Sequence, residues 1–106
     1  MAKELSETST LADLQAYVKQ MKENRQFTPN VDRDFIRLVM QVGQLAGRLR
    51  YYWIEDGSKQ QVDQELADVL IFIVDIANQC EVDLQAALKA REAINDNREW
   101  GPINRV

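Results

Sequence analysis

The chain has 106 residues, a formal net charge of −4, 45% hydrophobic and 28% charged residues. This is the balance of one globular domain, not of a disordered tract, and it lacks the basic stripe that a nucleic-acid polymer requires. No histidine is present and Cys80 is the single cysteine, which excludes imidazole acid–base chemistry, histidine metal ligation and an intrachain disulfide framework.

Four glycines and two prolines leave long uninterrupted elements, so the expected fold class is all-α. Residues 1–9 are polar and read as a flexible N-terminus without a secretion signal. Together with the lone cysteine, this gives a cytoplasmic expectation. Thr10-Leu11-Ala12-Asp13 forms a variant capping box, and Leu11, Leu14, Val18 and Met21 carry a first helix to about Asn24. Phe27-Thr28-Pro29-Asn30 is a loop, because proline disfavours helical backbone at Thr28. A second helix is expected from about Asp32 to Trp53, with Phe35, Leu38, Val39, Val42, Leu45, Ala46 and Leu49 as one apolar stripe. Gly43 within it costs about 1 kcal/mol relative to alanine and implies close approach of another helix. Asp56-Gly57-Ser58 is a turn, and Ser58 to Gln61 a capping box for a third helix over 59–79.

That third helix is apolar on almost every side beyond Asp68, so it is the expected central element. The apolar run 69–74 is far too short to span a membrane. Asp83 caps a fourth helix, which Trp100-Gly101-Pro102 ends, leaving 101–106 as a tail. The domain is thus expected over residues 10–100, as a bundle of three long helices and a shorter one. Such a chain cannot easily enclose helix three, which implies a homodimer or tetramer.

Two polar pairs interrupt the apolar faces. Glu65 and Asp68 lie about 60° apart on a helical wheel, with Phe72 between them and Asp75 further along the same stripe. Glu65 is flanked by Val69 and Ile76, where a carboxylate needs a partner to offset its desolvation. Gln41 and Gln44 repeat that spacing on helix two. Matched pairs on two facing helices can hold a magnesium ion, or can form an amide–carboxylate network that fixes helix register.

The run Leu38-Val39-Met40-Gln41-Val42-Gly43-Gln44-Leu45-Ala46 resembles the first motif of MazG-type nucleotide pyrophosphohydrolases, the all-α NTP pyrophosphatase superfamily. Glu65-Leu66-Ala67-Asp68-Val69-Leu70-Ile71-Phe72 resembles the second motif. Val82-Asp83-Leu84 and the stretch from Lys89 to Arg98 are similar to the closing helix of the dCTP-pyrophosphatase-like branch, and Trp53 falls where that branch tends to carry a tryptophan. The resemblance covers roughly residues 10–100. It implies a helical bundle completed by oligomerisation, and hydrolysis of a nucleoside triphosphate to the monophosphate and pyrophosphate. It also implies Mg²⁺ or Mn²⁺ held by acids of both motifs, with Glu65 and Asp68 as metal ligands and catalytic acids. Arg91, Asn95 and Arg98 then match the residues that hold the nucleotide phosphates; without the resemblance, the two arginines are ordinary charges near a helix C-terminus.

The departures bear on activity. Gln41 and Gln44 stand where the first motif carries glutamates, and Gln64 where an acid often precedes the second. Half of the expected carboxylates are gone, and neutral amides are poor replacements around a strongly hydrated Mg²⁺. Asp34 and Asp75 remain, with no sequence signal that they reach the site. The preferred reading is a pyrophosphohydrolase homologue with lost or much reduced activity that retains nucleotide binding. The alternatives are an active enzyme with a reduced metal set and a non-catalytic structural or regulatory helical dimer. Tyr51, Tyr52, Trp53 and Trp100 could stack on a base, or simply pack.

Overall fold

The structure, a computed structural model, describes residues 3–54 and 59–97, with side chains between them except at 51–54 and 59–60. Four helices account for the fold: α1 (Leu11–Asn24), α2 (Val31–Ile54), α3 (Lys59–Gln79) and α4 (Leu84–Asp96). They run 14, 24, 21 and 13 residues, so two are long and two short, where three long ones were expected. The expectation overextended α4, which stops at Asp96. No helix among the described residues is long and apolar enough to cross a membrane.

Local chemistry sets the helix ends. The Thr10 hydroxyl accepts from the Asp13 amide at 3.1 Å while the Asp13 carboxylate accepts from the Thr10 amide at 3.0 Å, closing the capping box that opens α1. That backbone hydrogen bond from Thr10 holds the Asp13 carboxyl below its usual value. Asp83 caps α4 by accepting from the Ala86 amide at 3.1 Å. The capping box expected around Ser58 lies outside the described residues.

Both α1 and α3 end in a Schellman turn. The Phe27 amide reaches the Lys22 carbonyl at 2.9 Å, and the Val82 amide reaches that of Ala77 at 2.8 Å. The turns place Gln26 (φ 58°) and Glu81 (φ 57°) in the left-handed region, where a Cβ is unfavourable by about 1 kcal/mol. Glu81→Gly should therefore stabilise the protein by about 0.5–1 kcal/mol, read as a higher urea midpoint; an unchanged or lower midpoint would show that the Glu81 side chain contributes more than its backbone costs.

Cross-links between α2 and α3 join Asp34 to Gln79, Gln41 to Glu65 and Arg48 to Gln61. Position rises along one helix as it falls along the other, so the two run antiparallel. α1 packs on α3, and α4 leans on α1. Gln15 ties these layers together. Its amide donates to the Asn78 side chain at 3.0 Å and the Val82 carbonyl at 2.8 Å, and its oxygen accepts from the Leu84 amide at 3.0 Å.

The core of this single chain is small. Val18, Val74 and Ala77 are its buried apolar residues among those described. The accessible surface is 8459 Å², against ~6,100 Å² for a compact monomer of this mass. The radius of gyration is 16.4 Å, against about 13 Å for a self-contained domain of this length. α3 is central, contacting both α1 and α2, but it is not enclosed.

The expected stripe on α2 divides in two. Leu38, Gln41, Leu45 and Leu49 are half-buried, while Phe35, Val39 and Val42 remain exposed, as do Leu66, Leu70 and Ile73 on α3. These exposed residues each follow, by one position, a residue turned inward. In an antiparallel pair that step swings both sets to the same side, giving one continuous apolar face across α2 and α3. A Cβ at Gly43 would meet nothing within 4 Å, so no helix among the described residues makes the close approach expected there.

Candidate functional site

The two polar pairs meet where α2 and α3 lie side by side. Glu65 is half-buried between the helices, and the Gln41 side-chain amide donates to its Oε2. On the other carboxylate oxygen, the Arg48 guanidinium Nε lies 3.6 Å from Oε1. Arg48 also donates weakly to Gln61 Oε1 at 3.4 Å, so it spans one turn of α3. Gln44 is exposed and, with Gly47, Arg48 and Glu65, lines a cavity of about 210 Å³.

Asp68, one turn along α3, is exposed and makes no ion pair or hydrogen bond among the described residues. Arg91 is exposed on α4, and Asn95 is half-buried and donates to Glu92 at 3.3 Å. Neither is joined to the Glu65 cluster by a hydrogen bond or ion pair among the described residues, because α4 stands on the α1 side of the molecule. Arg98 and Trp100 lie outside the described residues, as do the side chains of Tyr51, Tyr52 and Trp53. Within one chain the structure thus brings together Gln41, Gln44 and Glu65, and leaves Arg91 and Asn95 elsewhere.

Such a donor set does not suit a divalent cation. Gln41 presents N–H, not oxygen, to Glu65, and Arg48 supplies a positive charge where a metal ion would need a ligand. Among the described residues no group of three or more acidic or cysteine side chains is placed to hold a metal ion.

The comparisons assign no family. No protein-family model matches the chain, and no curated protein matches it.

A second polar cluster escaped sequence reasoning. Asp34 of α2 and Asp75 of α3 are 0% and 5% exposed, and Lys22 of α1 reaches both. Its Nζ lies 3.0 Å from Asp75 Oδ2 and 3.8 Å from Asp34 Oδ2. Gln79 donates to the same two oxygens at 2.9 and 2.8 Å. Arg33 and Arg37 approach the other oxygen of Asp34 at 3.3 and 3.8 Å. Burial alone would push the Asp34 carboxyl up. The hydrogen bonds from Gln79 and Arg33, with the charges of Lys22 and Arg33, outweigh it and hold the group below its usual value.

This cluster joins three helices and borders a cavity of about 490 Å³ lined by Lys22, Phe27, Asp75 and Asn78 among others. Lys22 also lies over the Phe27 ring, 4.9 Å from its centre. The signal in the sequence was Asp75 itself, a lone acid inside the apolar stretch Val69 to Ala77. A charge so placed has to be paired. Because Asp75 is committed to Lys22 and Gln79, it is not available as a spare carboxylate for Glu65.

Proposed function

We propose that the chain is a MazG-like nucleoside triphosphate pyrophosphohydrolase homologue in which hydrolysis is lost or much reduced, acting as a homodimer or tetramer and retaining nucleotide binding. The ordered motifs support the kinship, as does an all-helical fold in which α2 and α3 face each other at the motif residues. The observation that carries the reading is the hydrogen bond from Gln41 to Glu65. It pairs the two motifs across the helices, yet uses the Glu65 carboxylate to satisfy an amide. Oligomerisation would cover the apolar face of α2 and α3. It would also be a means of bringing Arg91 and Asn95 of a second copy toward Glu65.

The same hydrogen bond favours one other reading, a structural or regulatory helical dimer in which Gln41 and Glu65 serve only to fix register. Titration with nucleoside triphosphates, in the presence and absence of Mg²⁺, separates the two. Heat on mixing and an upward shift in melting temperature are expected for the nucleotide-binding homologue. Neither signal with any of the nucleotides would leave the structural reading. As a companion, Gln41→Glu combined with Gln44→Glu should gain measurable pyrophosphate release, because it restores two carboxylates opposite Glu65 and Asp68.

A further inference from the structure

The poor fit of the Glu65 site to a divalent cation has a specific cause beyond the two glutamines. We propose that Arg48 is the resident cation of the site, a built-in counter-ion that excludes divalent metal from Glu65. The inference rests on the kinship argued above for its choice of ligand. Its evidence is the packing around Glu65.

Arg48 and Gln41 lie one heptad apart on α2, so they share a face about 10 Å apart along the helix axis. Between them they engage both oxygens of one carboxylate, Gln41 at Oε2 and Arg48 at Oε1. Glu65 has a side chain only 15% exposed, whereas that of Arg48 is 49% exposed. The carboxylate is therefore held at both oxygens, and the more exposed guanidinium shares with it the cavity lined by Gln44 and Gly47. The weak bond to Gln61 steadies the guanidinium there. At 3.6 Å the pair is a charge–charge contact without direct ligation, so Arg48 offsets the charge of Glu65 but is not locked to it. The cavity lined by Gln44, Gly47, Arg48 and Glu65 adjoins the restored site, and glutamates at 41 and 44 have the same length as the glutamines they replace.

The chemistry makes Arg48 separable from the glutamines. Restoring carboxylates at 41 and 44 raises the attraction for a divalent cation but leaves a positive charge within a few ångströms of it. Removing Arg48 should then act in addition, through charge and not through shape.

Mn²⁺ binding without nucleotide, read by calorimetry or by the loss of the free-ion EPR signal, tests this on the full-length protein. The comparison is between Q41E/Q44E and the same protein carrying Arg48→Gln, with Arg48→Lys as the variant that keeps the charge. Arg48→Gln should tighten Mn²⁺ binding at least tenfold in the acid-restored protein, and Arg48→Lys should not. Adding Glu65→Gln should abolish the gain, and far-ultraviolet circular dichroism should show that each variant is folded. Equal affinity with and without Arg48, equal tightening by lysine and glutamine, or no Mn²⁺ binding to any folded variant would overturn the proposal. Pyrophosphate release is scored separately. A triple variant that binds Mn²⁺ tightly but hydrolyses no triphosphate would sink the kinship and leave the role of Arg48 standing. Hydrolysis without any effect of residue 48 on Mn²⁺ would do the reverse.

Discussion

Replacing Lys22 by methionine is expected to destabilise the fold by about 3–5 kcal/mol, the range for breaking a buried ion pair from one side. Methionine keeps most of the volume but leaves Asp34 and Asp75 buried at 0% and 5% exposure. Asp34 still has Arg33 and Arg37, whereas Asp75 retains, among the described residues, Gln79. The pH dependence gives the sign of the effect. In the native protein the Asp34 carboxyl is held below its usual value. Its contribution is complete above the unfolded value of about 3.9 and is lost as the pH falls through the lower folded value. Without the Lys22 charge, which helps hold that carboxyl low, less of this contribution is present to be lost on acidification. Urea midpoints at pH 7 and at about pH 3, below the unfolded value, should therefore converge for variant and native protein as the pH falls. A constant gap would mean that the loss is one of packing, not of charge.

The second large effect is on association. Val39→Glu combined with Leu70→Glu should convert the proposed dimer or tetramer into a monomer, raising its dissociation constant by more than a thousandfold. Val39 and Leu70 are 55% and 45% exposed in the single chain, on the face that α2 and α3 share. A carboxylate buried there against apolar partners costs several kcal/mol. On the surface of a monomer the same changes would be nearly neutral. Sedimentation analysis distinguishes the two. A native protein that sediments as a monomer at tens of micromolar would contradict this part of the account.

Much of the fold was legible because its boundaries are written in local chemistry. Thr10 with Asp13, and Asp83, each open a helix by satisfying backbone groups, while Pro29 bars helical backbone at Thr28, and α1, α2 and α4 begin within a residue or two of where those signals place them. The pairing of Gln41 with Glu65 was legible for a different reason. Each stood in a polar pair on an otherwise apolar face, and such pairs have to find each other.

Other features had no comparable signal. Asp34 reads as a first-turn acid favoured by the helix dipole, and only the packing of α1 across α3 shows that it shares Lys22 with Asp75. The Schellman turns were hidden because Gln26 and Glu81, not glycines, hold the left-handed positions. Arg48 reads as an ordinary solvated charge until its heptad spacing from Gln41 is set against Glu65. The α2 stripe was read as one surface although a single neighbouring helix can cover only part of it.

Pyrophosphate release from a panel of ribo- and deoxyribonucleoside triphosphates, with Mg²⁺ or Mn²⁺, bears most directly on the central claim. The native protein should stay at or near background with every substrate, since Glu65 is paired with Gln41 and Arg48, and Asp68 belongs to no group of three or more acidic or cysteine side chains placed to hold a metal ion among the described residues. Robust turnover abolished by Glu65→Ala would contradict that claim, and would make the chain a working hydrolase despite its glutamines.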